Sequence, residues 1–287
     1  MARVTGMDVM FLYGETANWH MHVCAITILD PSTAPGGFHA DALRALFEER
    51  LVLAPQFRWK VRGLALGLDD PVFVEDEHFD LDRHVHYATV PPPGGRRELG
   101  ELTGELMALK LDRSRPLWEI WLIDGLEDGR FAVLTKIHHS IIDGVSGADL
   151  AGLLMDVDPV PEPREVGAVA TPDPARSGIA EAAGAIGHAL MSPARTARYA
   201  VQLTLQAAVL GRHMLRGTAA GLPFFTPSSP LNGALTPRRE LAVASVPFAD
   251  VVRVKEAFGV KVNDVILALV GGALRAWLEG LGALPNR

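Results

Sequence analysis

Apolar and polar positions along the chain fall into segments with different periods. His22 to Leu29 (HVCAITIL) is dense in β-branched and apolar residues and predicts a strand; the turn-rich Pro31 to Gly37 follows it. From Ala40 to Leu51 the apolar residues Leu43, Leu46, Phe47 and Leu51 recur at helical spacing, predicting an amphipathic helix. Pro71 to Glu75 and His84 to Val90 read as short strands, separated by the Pro91 to Gly95 loop from a second helix whose face is Leu99, Leu102, Leu106 and Leu109. Leu117 to Ile123 and Phe131 to His139 read as strands joined by a turn at Leu126 to Arg130, where Asp128-Gly129 is a hairpin signal. Gly147 to Met155 has a helical composition.

Beyond Val157 the texture changes. Asp158 to Ser177, rich in Pro, Ala and charge, reads as a linker; Ile179 to Leu190 and Thr196 to Leu215 are Ala-rich helical stretches. A second Pro/Ser/Gly-rich stretch, Pro223 to Pro237, precedes a strand at Leu241 to Val246 and helices at Ala249 to Phe258 and Asn263 to Leu278. Strands mixed with helices, with hairpin-linked strands early, predict an α/β class that is not a purely parallel winding.

Composition adds bounds. With 287 residues, 48% hydrophobic and 21% charged, the chain can bury a substantial core. One cysteine, Cys24, leaves no intramolecular disulfide and no Cys-rich zinc cluster, which suits a reducing cytoplasm; inside a strand, a small buried hydrophobe is its expected role. The opening residues lack a basic region followed by an apolar one, and no run of about 18 apolar residues occurs, so neither a secretory signal nor a spanning helix is expected. The net charge of −7 is unevenly spread: residues 1–181 carry 16 basic and 29 acidic side chains, the remainder 11 and 5. Between Arg195 and Arg239 there is no Asp or Glu, a pattern that fits either an anionic partner such as phospholipid or coenzyme phosphate, or core helices with solvated arginines.

The densest chemistry is His138-His139-Ser140-Ile141-Ile142-Asp143-Gly144. If the strand reaches His139, alternation sets His139 with Phe131, Val133, Thr135 and Ile137, and His138 with Ala132, Leu134 and Lys136. Adjacent strand histidines cannot easily share a metal, and separated helical ligand spacing is lacking, so no metal is expected. A general base remains, since imidazole accepts protons near neutrality. No nucleophile elbow is present, because Gly144-Val145-Ser146-Gly147 has the wrong spacing. Asp143 could orient the imidazole or pair with an arginine, and Gly144 suits a tight turn with positive φ. Read without other context, the run is equally a satisfied histidine pair and an ordinary Asp-Gly turn.

The run resembles the active-site motif of the CoA-dependent acyltransferase superfamily, which includes condensation domains and chloramphenicol acetyltransferase. Met7-Asp8, Phe11-Leu12, Met21-His22-Val23, Phe57-Arg58, Phe79 to Val85 and Arg115-Pro116-Leu117-Trp118-Glu119 narrow the resemblance to the bacterial bifunctional wax ester synthase/diacylglycerol acyltransferases. Asn232-Gly233, Pro237-Arg238-Arg239 and Val262-Asn263-Asp264-Val265 continue it, in the family's order, over nearly the whole chain. The resemblance implies a chloramphenicol acetyltransferase-like two-subdomain fold with mixed sheets. Its first subdomain would be 1–157, followed by a linker and helical crossover over 158–237. The second subdomain would start at 238–287 and be incomplete, since family members are longer, leaving a tunnel wall missing and apolar surface exposed.

It further implies that His139 is the general base, with His138 and Asp143 orienting or structural and Gly144 a turn residue. Pro116, Leu117 and Trp118 would shape the substrate pocket, with Asn263 and Asp264 near it; a buried Trp at a strand start and a helix N-cap at Asn263 are the plainer roles. The implied partners are acyl-CoA, as substrate with no cofactor, and diacylglycerol or a long-chain alcohol. A cytoplasmic protein, peripheral at the inner membrane or on lipid inclusions and without a nucleic-acid partner, is the corresponding expectation. Two other readings are an inactive, truncated homologue that binds lipid through the basic segment, and condensation-type transfer to an amine or polyketide hydroxyl.

Overall fold

The computed structural model describes residues 2–4, 7–34, 37, 39–63, 71–142 and 229–284. These fall in two units: the described residues up to 142 together with Thr236–Ala242, and residues 229–235 together with 243–284.

In the first unit the chain order is β1 (Ala2–Arg3), α1 (Met7–Gly14), β2 (His22–Leu29), α2 (Ala40–Leu51), β3 (Trp59–Arg62) and β4 (Val72–Glu75). Then come β5 (Val85–Thr89), α3 (Arg96–Ala108), β6 (Trp118–Asp124), β7 (Phe131–His138) and the single helical turn α4 (His139–Ile142). β2, β7, β6 and β5 pair in that order. β7 is antiparallel to both neighbours, while β5 runs parallel to β6 with α3 in the crossover between them. The fold is thus mixed α/β with a mixed sheet, as the sequence predicts. β1, β4 and β3 form a separate small antiparallel group.

Strand alternation divides the core. On one face of the larger sheet, Ile120, Leu122, Phe131, Val133 and Ile137 pack with Leu12, Phe47, Leu51 and Phe57. On the other, Ile123, Ala132 and Leu134 pack with Leu99 and Leu106 of α3. The β6–β7 hairpin turns where Asp128 (φ 63°) and Gly129 (φ 68°) both adopt the left-handed conformation, which explains why Asp-Gly is the signal there. α3 starts at Gly95, whose N–H donates to Glu98 Oε2 at 3.0 Å.

α3's far end is held by side chains of the sheet. The fully buried Lys136 ammonium pairs with Glu119 Oε2 (2.8 Å) and donates to the carbonyls of Leu106 (3.2 Å) and Leu109 (2.9 Å). His22 Nε2–H donates to the Met107 carbonyl at 3.0 Å. Helix-terminal carbonyls lack intrahelical partners, so a cation there is favourable both as donor and against the helix dipole.

The structure departs from the sequence reading in several places. β7 ends at His138 rather than His139, because the backbone turns helical at His139. α1, β1 and β3 were not expected; α1 (MDVMFLYG) is apolar on most sides and has no polar stripe to reveal a period. Leu109 lies just past the helix and is exposed rather than on its apolar face. Leu241 to Val246 is not a strand. Leu241 and the residues just before it instead cross α3, where Gly100 and Gly104 leave room for the Leu241 and Arg239 carbonyls. The predicted helix at Gly147 to Met155, the linker and the two Ala-rich helical stretches lie outside the described residues.

The second unit contains α5 (Phe248–Phe258) and α6 (Val262–Gly280). α5 ends at Gly259 (φ 63°), after which the Val260 N–H reaches back to the Lys255 carbonyl, a left-handed cap that only glycine forms without strain. α6 is capped at Lys261 and not at Asn263, since Asp264 in its first turn accepts the Lys261 N–H at 2.9 Å and draws the start forward. α6 exposes Ile266, Leu267, Val270 and Trp277. No single described helix is long and apolar enough to cross a membrane; α5 and α6 pass that test only as a pair bent by 105°.

Candidate active site

The histidine run is where β7 gives way to α4. His138 is paired on both sides by the sheet: its N–H donates to the Leu117 carbonyl at 2.9 Å, and His22 is its register partner on β2. The next N–H, of His139, donates to the Met21 carbonyl at 2.8 Å. Met21 has φ 49°, a left-handed conformation costly for a residue with a Cβ, of order 1–3 kcal/mol. Backbone strain thus sits directly opposite the histidine run.

The two rings end in different surroundings. His138 is buried, and its Nδ1 accepts the Ser140 backbone N–H at 3.2 Å, with Ser140 Oγ 2.8 Å from the same nitrogen. An N–H can only donate, so Nδ1 is the acceptor and the ring proton resides on Nε2, which is buried without a partner among the described residues. Burial, the first cause, pushes the His138 pKa down from 6.5 to about 4, with Glu15 opposing and Arg113 reinforcing the shift. His138 is therefore a neutral, enclosed imidazole at neutral pH.

His139 is half-buried and heads the α4 turn. Its ring stacks on Phe11 of α1, with centroids 4.0 Å apart and planes 25° from parallel. Its Nδ1 is buried and has no hydrogen-bond partner among the described residues. The helical turn, rather than alternation along an uninterrupted strand, separates the rings.

α1 is firmly placed. Leu12 is in the core, and the enclosed Glu15 carboxylate pairs with Arg113 (2.5 Å) and Lys110 (3.3 Å). Arg113 also donates to the Leu12 carbonyl. This ionic knot joins α1 to the segment leading into Pro116-Leu117-Trp118. Pro116, Leu117 and Trp118 are all buried. Trp118 donates its indole N–H to the Phe57 carbonyl (2.7 Å) and stacks on His84, while Leu117 supplies the acceptor for His138. The motif abuts the histidine run through backbone, and the Trp118 ring is packed into the core. Asn263 and Asp264 are in α6 of the second unit, and Asp143 and Gly144 lie outside the described residues.

Cys24, half-buried on β2, has its thiol pushed up to about 11 by burial, so it stays protonated at neutral pH. Among the described residues, no three His, Cys, Asp or Glu side chains converge as metal ligands would. Of the basic segment, Arg239 is committed internally: it donates to the Asn18 carbonyl (2.7 Å) and the Thr236 carbonyl (2.6 Å), and Arg238 pairs with Glu240. Arg195, Arg198, Arg212 and Arg216 lie outside the described residues.

Residues 4–266 match the sequence profile of the wax ester synthase/diacylglycerol acyltransferase catalytic domain. The chain belongs to this family. Among its relatives, a Mycobacterium tuberculosis (strain CDC 1551 / Oshkosh) protein named provisionally as a diacylglycerol O-acyltransferase is 40% identical over 100% of this chain and 57% of its own length. A second from the same species (strain ATCC 25618 / H37Rv), also named provisionally, is 35% identical over 100% of this chain and 61% of its own. The wax ester synthase/diacylglycerol acyltransferase of Marinobacter aquaeolei VT8 superposes with a TM-score of 0.66 at 28% identity, covering 100% of this chain and 63% of that one. The chain thus spans about three-fifths of the length of these family members.

Phe11, Glu15, Met21, Arg113 and Ser140 are site residues that the sequence reading did not single out by chemistry. For Phe11 and Met21 the only signal was the family resemblance of the opening segment.

Proposed function

We propose that the chain carries the histidine-bearing part of an O-acyltransferase that moves a fatty acyl group from acyl-CoA to diacylglycerol, a long-chain alcohol, or both. Support comes from family membership, from the names its relatives bear, and above all from the inequality of the two histidines. His138 is buried, neutral and engaged at Nδ1, whereas His139 is half-buried and its ring is not engaged at Nδ1 by any described side chain.

In this reading His139 takes the hydroxyl proton as the alcohol oxygen attacks the thioester carbonyl. The carbon–sulfur bond then breaks, the ester forms, and the imidazolium returns the proton to the departing CoA thiolate. No acyl-enzyme and no cofactor are required, and the reduced nucleophilicity of Cys24 fits a direct transfer. Asp143 and Gly144 would orient and close the turn after α4. The protein would act in the cytoplasm, at the inner membrane surface or on lipid inclusions, where both lipid substrates partition.

The test is release of free CoA thiol by the purified chain from a long-chain acyl-CoA, with diacylglycerol or a long-chain alcohol present or withheld. Acceptor-dependent release is expected, falling about 10²–10⁴-fold in His139→Ala, the usual contribution of a general base. Acceptor-independent thioester cleavage, or unchanged release by His139→Ala, contradicts the reading.

A further inference from the structure

We propose that Phe11 is a positioning residue for the reaction, fixing the plane of the His139 ring by stacking on it. This rests on the reading of His139 as the base.

A histidine that must move a proton through one nitrogen is usually held through the other, by a carboxylate or a carbonyl. Here Nδ1 of His139 is buried without a partner among the described residues, so no described side chain holds the ring in that way. What does contact it is the face of Phe11, at 4.0 Å and 25°. The other constraint on the residue is its backbone, through the His139 N–H on the Met21 carbonyl. Together they fix the Cα position and the ring plane, and Nδ1 is left without a hydrogen-bond partner among the described residues.

Phe11 can do this because its helix does not yield. Leu12, the next residue, is in the core, and Glu15 one turn later is clamped by Arg113 and Lys110. At the end of α1, Gly14 lies beside the Met21 side chain, where an added Cβ would sit 2.8 Å from the Met21 methyl. The opening segment thus supplies both the surface on the His139 ring and, in Met21, the carbonyl that receives its N–H. An aromatic face has a second consequence. It attracts a cation, and the ring it covers becomes cationic once the alcohol proton is taken up, so the contact strengthens as the reaction proceeds.

The test uses the full chain and three variants: Phe11→Leu, which keeps an apolar side chain without a π-face, and Phe11→Tyr and Phe11→Trp, which keep the face. In chain labelled at histidine, the His139 ring protons should show an upfield ring-current shift in the parent, Phe11→Tyr and Phe11→Trp, and lose it in Phe11→Leu. In acyl transfer, Phe11→Leu should lower kcat about tenfold, the scale of one such contact, with KM for acyl-CoA within about twofold, and Phe11→Tyr should restore it. A His139 signal indifferent to Phe11→Leu overturns the contact. A folded Phe11→Tyr as impaired as Phe11→Leu, or a change confined to KM, overturns the positioning role. Full activity in His139→Ala, beside a parent whose His139 ring protons show the ring-current shift, would instead remove the base and leave the stacking standing.

Discussion

Trp118 packs its ring beside His84, with centroids 4.4 Å apart, meets Phe57 edge-on, and gives its one donor to the Phe57 carbonyl. Trp118→Phe would keep much of the packing and leave that buried carbonyl without its donor, costing about 1–3 kcal/mol. A lower melting temperature with an unaltered KM for acyl-CoA is expected. An unaltered melting temperature with a raised KM would place the ring in the substrate pocket, as the family resemblance implies. At this scale the sequence was partly legible. Histidine chemistry could be argued from residue type, and an inequality of the pair from alternation, although the strand that argument assumed ends at His138. The helical turn at His139, the Ser140 contact and the Phe11 stack could not, because each joins atoms whose proximity is made by the turn or by α1, far away in sequence.

Among elements, α3 is the clearest case of a sequence feature with a non-obvious cause. Gly100 and Gly104 lie in the interior of a helix, where glycine is ordinarily unfavourable by about 1 kcal/mol relative to alanine. A Cβ on Gly104 would lie 2.4 Å from the Arg239 carbonyl oxygen, and one on Gly100 2.3 Å from that of Leu241. The Thr236–Ala242 segment therefore runs against a groove that only glycines leave open. Gly104→Ala should lower the urea midpoint by an amount corresponding to about 1–3 kcal/mol, as overpacking does, in spite of the propensity gain. A raised midpoint would show that the segment does not press on the helix.

The same segment shows why Leu241 to Val246 misled the pattern. An extended run with alternating apolar residues looks alike whether it joins a sheet or lies across a helix. The strands β2, β5, β6 and β7, the hairpin and α2 were legible because their own residues carry the period. β3, with four residues, is too short to show one.

At the level of the whole molecule, burial of imidazoles ties stability to pH. His22 and His138 are both pushed down from 6.5 to about 4, chiefly by desolvation, and His84 and His86 are lowered for the same first reason. A folded pKa below the unfolded value means that the unfolded chain binds more protons between the two. Their stabilisation is thus complete above about 6.5 and is lost as pH falls towards 4. The urea midpoint should fall measurably between pH 7.5 and pH 5. A midpoint constant over that range would mean that these rings are hydrated in the folded chain. Of the basic segment, the described Arg239 is engaged with its own chain's carbonyls, while Arg195, Arg198, Arg212 and Arg216 lie outside the described residues.

The assignment of chemistry to one histidine of the pair is tested most directly by acceptor-dependent CoA release from His139→Ala and His138→Asn side by side at neutral pH. Asparagine can offer an acceptor to the Ser140 N–H where His138 Nδ1 stands. His138→Asn should retain release within about tenfold of the parent, and His139→Ala should lose about 10²-fold or more. Equal losses in two folded variants, or the larger loss in His138→Asn, would contradict the account.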